Sequence, residues 1–142
     1  MEGMEAKKVM YGSQGEAWTD GDYMAQVEGL KASITYDKIE VKMVKHMGKD
    51  YKIVGWSGKG TLKLHKVDSY FIRKYAEAIK NGQQMPITII SKVSDPDAVG
   101  EERVALKNVL FDGIDLANWE VGKIGEESYS FTFSSFEILD AA

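Results

Sequence analysis

The sequence predicts a mainly β protein, one domain over residues 1–142, with a single flanking α-helix. Three observations carry that reading. Apolar and polar residues alternate with a period of two along most of the chain, as half-buried strands require. Only one stretch, Phe71 to Ile79, repeats at helical spacing. Short turn signals separate these segments, with no internal repeat and no linker.

In chain order, GEAWTDGDYMAQV reads as a hairpin: Ala17 and Trp18, an Asp20-Gly21 turn, then Tyr23 to Val27. Asp-Gly supplies the positive φ angles of a tight turn. Next, Leu30, Ala32, Ile34 and Tyr36 alternate with Lys31, Ser33 and Thr35. Beyond Asp37 and Lys38 the apolar phase slips to Ile39, Val41 and Met43, which predicts a bulge in one long, kinked strand that returns the oily side to one face. Residues 45–60, with four glycines and four lysines, read as a mobile excursion with some strand in its middle. Alternation resumes at Thr61, with Leu62 and Leu64 against Thr61, Lys63 and His65. Phe71, Ile72, Tyr75, Ala76 and Ile79 form the apolar stripe of the helix, with Arg73, Lys74, Glu77 and Lys80 opposite. Asp68 or Ser69 is placed to cap its start and Asn81-Gly82 to end it. MPITIISKV, RVALKNVLFD and a short NWEVG follow as strands, with a turn at Asp95 to Gly100. The last run, Ser128 to Phe136, sets Tyr129, Phe131 and Phe133 against Ser128, Ser130, Thr132 and Ser134.

Composition narrows the function classes. A net charge of −4 offers no concentrated basic surface for nucleic acid. Without cysteines the chain has neither disulfides nor thiolate metal ligands, which is compatible with a reducing compartment. MEGMEAKKVM lacks the apolar stretch of a secretory signal, and no apolar run approaches the ~18 residues that span a bilayer. The expectation is a soluble protein made in the cytoplasm.

Ser57-Gly58-Lys59-Gly60-Thr61 looks like part of a phosphate-binding loop. Such a loop needs a glycine five positions before its Gly-Lys pair and a helix behind it. Ile53 occupies the first place and a strand pattern the second, so Gly58 and Gly60 are expected to allow a bend or close backbone approach. DPDAVGEE has acids at the first and third positions of a calcium loop and Gly100 at the sixth, but Val99 and Leu106 stand where ligands belong. His46 and His65 lack a second histidine at helical i+4 spacing, and no Gly-x-Ser-x-Gly elbow accompanies the serines. No motif argues for catalysis. The long strand and the last strand instead share a small, hydroxyl-bearing face, which suits a sheet lining a wet cavity or channel.

The segments GEAWTDGDYMAQVEGLKASITYDK, Gly58-Lys59-Gly60-Thr61 leading into a strand that ends at Val67, the helix closing at Gly82, SDPDAVGEERVALKNVLFDGIDLANWEVG, and the closing FTF and FEILD carry a resemblance over nearly the whole chain. They resemble the tail tube proteins of contractile phage tails and phage-like elements, most closely the tube subunits of clostridial R-type bacteriocins such as diffocin. Ser130 stands where such proteins tend to carry proline. The resemblance implies a β-barrel or sandwich of antiparallel sheets with one flanking helix. It implies homo-hexameric rings whose sheets join into one inner barrel and stack into a tube. Sheath, baseplate and tail-terminator proteins are the implied partners. It brings no catalytic residue, cofactor or membrane anchor, and no stable nucleic-acid binding. The implied location is a phage tail or a released bacteriocin particle. A small ligand- or nucleotide-binding β-barrel is the competing class.

Strand alternation then gives the wet, lumen-facing candidates: Lys31, Ser33, Thr35, Glu40, Lys42, Thr61, Lys63, Ser130, Thr132 and Ser134. The 45–60 excursion is the candidate for ring stacking, through Lys45, His46, Gly48, Lys49, Asp50, Tyr51, Gly55, Trp56, Gly58, Lys59 and Gly60.

Overall fold

A computed structural model describes residues 15–24, 26–45, 47–66, 70–94 and 101–140. The opening decapeptide, His46, Val67, the Asp68 or Ser69 cap and the Asp95–Gly100 turn lie outside them. The elements run β1 (Gly15–Thr19), β2 (Asp22–Tyr23), β3 (Val27–Val41), β4 (Asp50–His65), α1 (Tyr70–Lys80), β5 (Ile87–Ser94), β6 (Glu101–Phe111), β7 (Glu126–Phe133) and β8 (Ser135–Asp140). All strand pairs are antiparallel, in the order β2-β1-β5-β6-β7-β4-β3, with β8 added to β6. The path does not close, so the fold is an open, sandwich-like version of the predicted class.

β6 joins the two layers. One of its edges pairs with β5 as far as Val109; on the other, Arg103 to Lys107 pair with β8, whereas Leu110 and Phe111 pair with β7. Between them Asn108 takes φ 55, a left-handed conformation that asparagine tolerates. The strand thereby passes from one layer to the other. Leu62, Leu64, Ile89, Leu106, Val109 and Phe131 fill the space between, each at most 3% exposed. Phe71 and Tyr75 of α1 join this core, Phe71 lying 4.9 Å from Tyr129 and 5.3 Å from Phe111 between ring centres.

Local chemistry shapes each element. Asp20 (φ 50) and Gly21 (φ 86) form the expected tight turn, with Trp18 and Tyr23 paired across it at 5.4 Å. The second arm is shorter than expected, because Met24 turns into the core and a new strand begins at Val27. At the end of α1, the Gln83 N–H donates to the Ala78 carbonyl and the Gly82 N–H to that of Ile79. With Gly82 at φ 65, this is a Schellman ending. Lys74, expected on the solvent face, instead reaches Asp20 at 3.0 Å with its side chain 15% exposed, while Ile79 faces solvent.

Three expectations need correction. Residues 50–60 belong to the 16-residue strand β4, so the excursion shrinks to the turn between Val41 and Asp50. NWEVG is not a strand: the 112–125 segment carries Trp119 in turn and irregular backbone, without the ladder partners that strand propensity alone cannot supply. The final run is two strands rather than one. It breaks at Ser134, and β8 leaves β7's layer to pair with β6.

Candidate functional site

Residues directly opposite each other in an antiparallel ladder share a face. Across β3, β4 and β7 the register forms rungs of three: Gly29–Lys63–Ser128, Lys31–Thr61–Ser130 and Ser33–Lys59–Thr132. Thr35–Ser57 extends the row. The intervening rungs, Leu30–Leu62–Tyr129, Ala32–Gly60–Phe131 and Ile34–Gly58–Phe133, take the opposite, core side, although Ala32 itself stays exposed. One sheet therefore has an aromatic and aliphatic side and a side of lysines and hydroxyls. Along β7 the alternation is complete, with Glu127, Tyr129, Phe131 and Phe133 buried and their neighbours exposed.

This geometry explains the loop-like string at Gly58. A Cβ on Gly60 would lie 2.3 Å from Phe131 Cζ and 2.5 Å from the Lys31 carbonyl oxygen; on Gly58 it would lie 2.5 Å from Phe133 Cε2. The glycines make room for the two rings, and Lys59 points to the other, wet side. Strand continues through Thr61 to His65, so no helix N-terminus stands behind the lysine.

Of the ten wet-face candidates, Lys31, Ser33, Thr35, Thr61, Lys63, Ser130 and Thr132 share this face. Glu40 does not. The register shift at Asp37/Lys38 is where the phase slip predicted it, but the extra residue is Val54 on β4. β3 therefore keeps its alternation and carries Glu40 to the side of Tyr36 and Lys38. Lys38 Nζ over the ring of Tyr51, Glu40's cross-strand partner, agrees at 5.6 Å. Lys42 lies beyond the end of β3, and Ser134 sits at the β7–β8 corner, its N–H 3.4 Å from the Lys107 carbonyl. Ser57, Lys59 and Ser128 complete the face. Counting the glycines as core positions would have extended the alternation from Thr61 back to them.

Beyond Tyr36 and Trp56 the β3–β4 hairpin leaves the core and is exposed on both sides: Ile39 52%, Tyr51 57%, Ile53 55% and Val54 56%. Trp56 anchors its base, 6.1 Å from Phe133 and 5.8 Å from Phe136 between ring centres. Of the stacking candidates, Asp50, Tyr51, Gly55 and Trp56 lie on this arm, and Lys45, Gly48 and Lys49 at its turn. Gly58, Lys59 and Gly60 belong instead to the central ladder, because they pair on both sides.

At the opposite end of the sheet, Glu127 is 5% exposed, with Lys66 Nζ 2.9 Å from Oε1 and the Tyr129 hydroxyl donating to Oε2. Burial, reinforced by Glu127, pushes the Tyr129 hydroxyl well above the ordinary tyrosine range.

Comparison with known proteins agrees with this architecture. The chain is 29% identical over 137 residues to the phage-like element PBSX protein XkdM of Bacillus subtilis (strain 168), covering 95% of this chain and 93% of that one. A solved Bacillus subtilis protein aligns with a TM-score of 0.56 at 28% identity, over 91% of this chain and 94% of that one. The fold is shared at 10% identity with a chain of the PVC extracellular contractile injection system sheath–tube complex in its extended state, with a TM-score of 0.72 over 96% of this chain and 95% of that one. A chain of the anti-feeding prophage tube-terminating cap aligns with a TM-score of 0.74 at 10% identity, over 99% of this chain and 97% of that one. Residues 2–140 match the phage tail tube protein family, and the chain belongs to that family.

Proposed function

We propose that this chain is the inner tube subunit of a contractile, phage-like tail, of an R-type bacteriocin close to diffocin or of a phage. Six copies form a ring and rings stack into a hollow tube. The tube sits within a sheath between baseplate and terminator, and sheath contraction drives it through a target envelope. The work is mechanical, with no bond chemistry by this chain.

The β3–β4 hairpin is the observation that carries this reading. β3, 15 residues long, pairs with β4 from end to end, and among the described residues no other strand covers its outer edge. An edge that long is a hazard for a solitary protein and a ready joint for a neighbouring copy. The arm beyond it carries Ile39, Tyr51 and Ile53 exposed, which suits packing between copies rather than contact with water. An obligate interface of this kind buries more than ~2,000 Å². In the tube, Lys31, Ser33, Thr35, Lys59, Thr61, Lys63, Ser130 and Thr132 line the bore, and the arm with its Lys45–Lys49 turn contacts the next ring. The hydroxyls hold water against the wall without a strong attractive field for DNA.

Electron microscopy of concentrated protein tests this. Rings or tubes with a central bore are the expected result. Particles that stay monomeric even with their baseplate partner present would overturn it.

A further inference from the structure

We infer that Glu28, His65 and Glu126 form a binding site for a divalent first-row transition cation such as Zn2+. The three residues come from three adjacent strands at one end of the polar face. His65 and Glu126 are direct ladder partners on β4 and β7. Glu28 is the extra residue of a register shift on β3, between Val27 opposite Leu64 and Gly29 opposite Lys63. That bulge aims its carboxylate across the strand at His65, where Oε1 lies 2.9 Å from Nε2. One ligand atom from each of the three residues falls within 4.8 Å of the other two.

Backbone bonds fix this end of the sheet. The His65 N–H donates to the Gln26 carbonyl at 2.9 Å, and the Lys66 N–H to that of Gly125 at 2.8 Å. Three donors on rigid strands therefore need only side-chain rotation to reach the ~2.0–2.2 Å bonds of a zinc ion.

Charge favours a cation. Two carboxylates converge on one imidazole, whose ion-pair partner among the described residues is Glu28. Among the described residues Glu126 has no ion-pair partner. The cleft beside it is lined by Lys63, Asp115 and Glu127, the last already engaged with Lys66. A nitrogen with two carboxylate oxygens suits Zn2+ and its first-row neighbours, whereas Mg2+ and Ca2+ prefer an all-oxygen shell. All three residues are exposed, which leaves further coordination positions to water.

The inference holds for the single chain and does not depend on the tube reading. Isothermal titration of the purified full chain with Zn2+ is expected to give one site per chain, with no comparable heat for Mg2+. Zinc raises Tm in the wild type, because a ligand that binds only the native state stabilises it. His65→Ala abolishes the site. Glu126→Gln, close in shape to the native side chain, raises Kd by roughly tenfold or more while circular dichroism and zinc-free Tm stay native. Glu137→Gln leaves Kd unchanged. Absence of zinc binding by the folded wild type, or an unaltered Kd in folded His65→Ala or Glu126→Gln, overturns the assignment.

Discussion

Gly60 shows how one residue settles a motif. Its missing side chain leaves room for Phe131 and the Lys31 carbonyl, so the string around it is a packing device inside a sheet. Gly60→Val is expected to destabilise the fold by about 1–3 kcal/mol in urea unfolding, the cost of overpacking a filled core. Gly29→Ala, where a Cβ would meet nothing within 4 Å, is the control and is expected to be neutral or slightly stabilising. Buried hydroxyls give a second prediction. Burial first, then their acidic neighbours, raises the proton affinity of Tyr129 and Tyr75 above that of an unfolded tyrosine. The folded chain keeps protons that the unfolded chain releases near pH ~10, so their contribution is whole below that pH and lost as pH rises through the folded values. Unfolding free energy measured from pH 8 to 11 should fall at the alkaline end, and less steeply in Tyr129→Phe.

At the level of elements, the hairpin arm separates folding from assembly. Its outer half contributes little to the core, since Ile39, Tyr51 and Ile53 are all more than half exposed. Tyr51→Ser combined with Ile53→Ser is therefore expected to shift Tm by no more than about 2 °C, given that surface changes usually stay within ±0.5 kcal/mol. The same variant should lose rings or tubes in electron micrographs. A large loss of Tm would show that the arm belongs to the fold, and unimpaired tubes would remove it from the assembly. Trp56 is the boundary, because its ring packs on Phe133 and Phe136.

At the scale of the whole molecule, apolar surface stays open in several places among the described residues. The projecting arm, β8 and the 112–125 segment leave Ile53, Ile138, Leu116 and Trp119 open to solvent. If the polar row lines a bore, Lys31→Glu with Lys63→Glu should leave Tm and tube assembly near wild type while reversing the charge selectivity of ion passage through isolated tubes. Cryo-EM of those tubes showing both positions on the outer wall would refute the row's role.

Alternation and turn chemistry are local, so the strand-rich class, the long third strand, the helix with its glycine end, and the placement of seven polar residues on one face were legible along the chain. Where a decision depended on which strand lies alongside, only the tertiary structure made it. Register placed the extra residue at Val54 and so moved Glu40 to the other side; pairing on both edges drew Gly58 to Gly60 into the central sheet; and β6 drew β8 away from β7 at Ser134. His65 stands alone along the chain and meets Glu28 and Glu126 only across strands. The physical reason is common to all of these. A strand's period fixes which side each residue takes relative to its neighbours, whereas hydrogen bonding between distant segments fixes what each side faces.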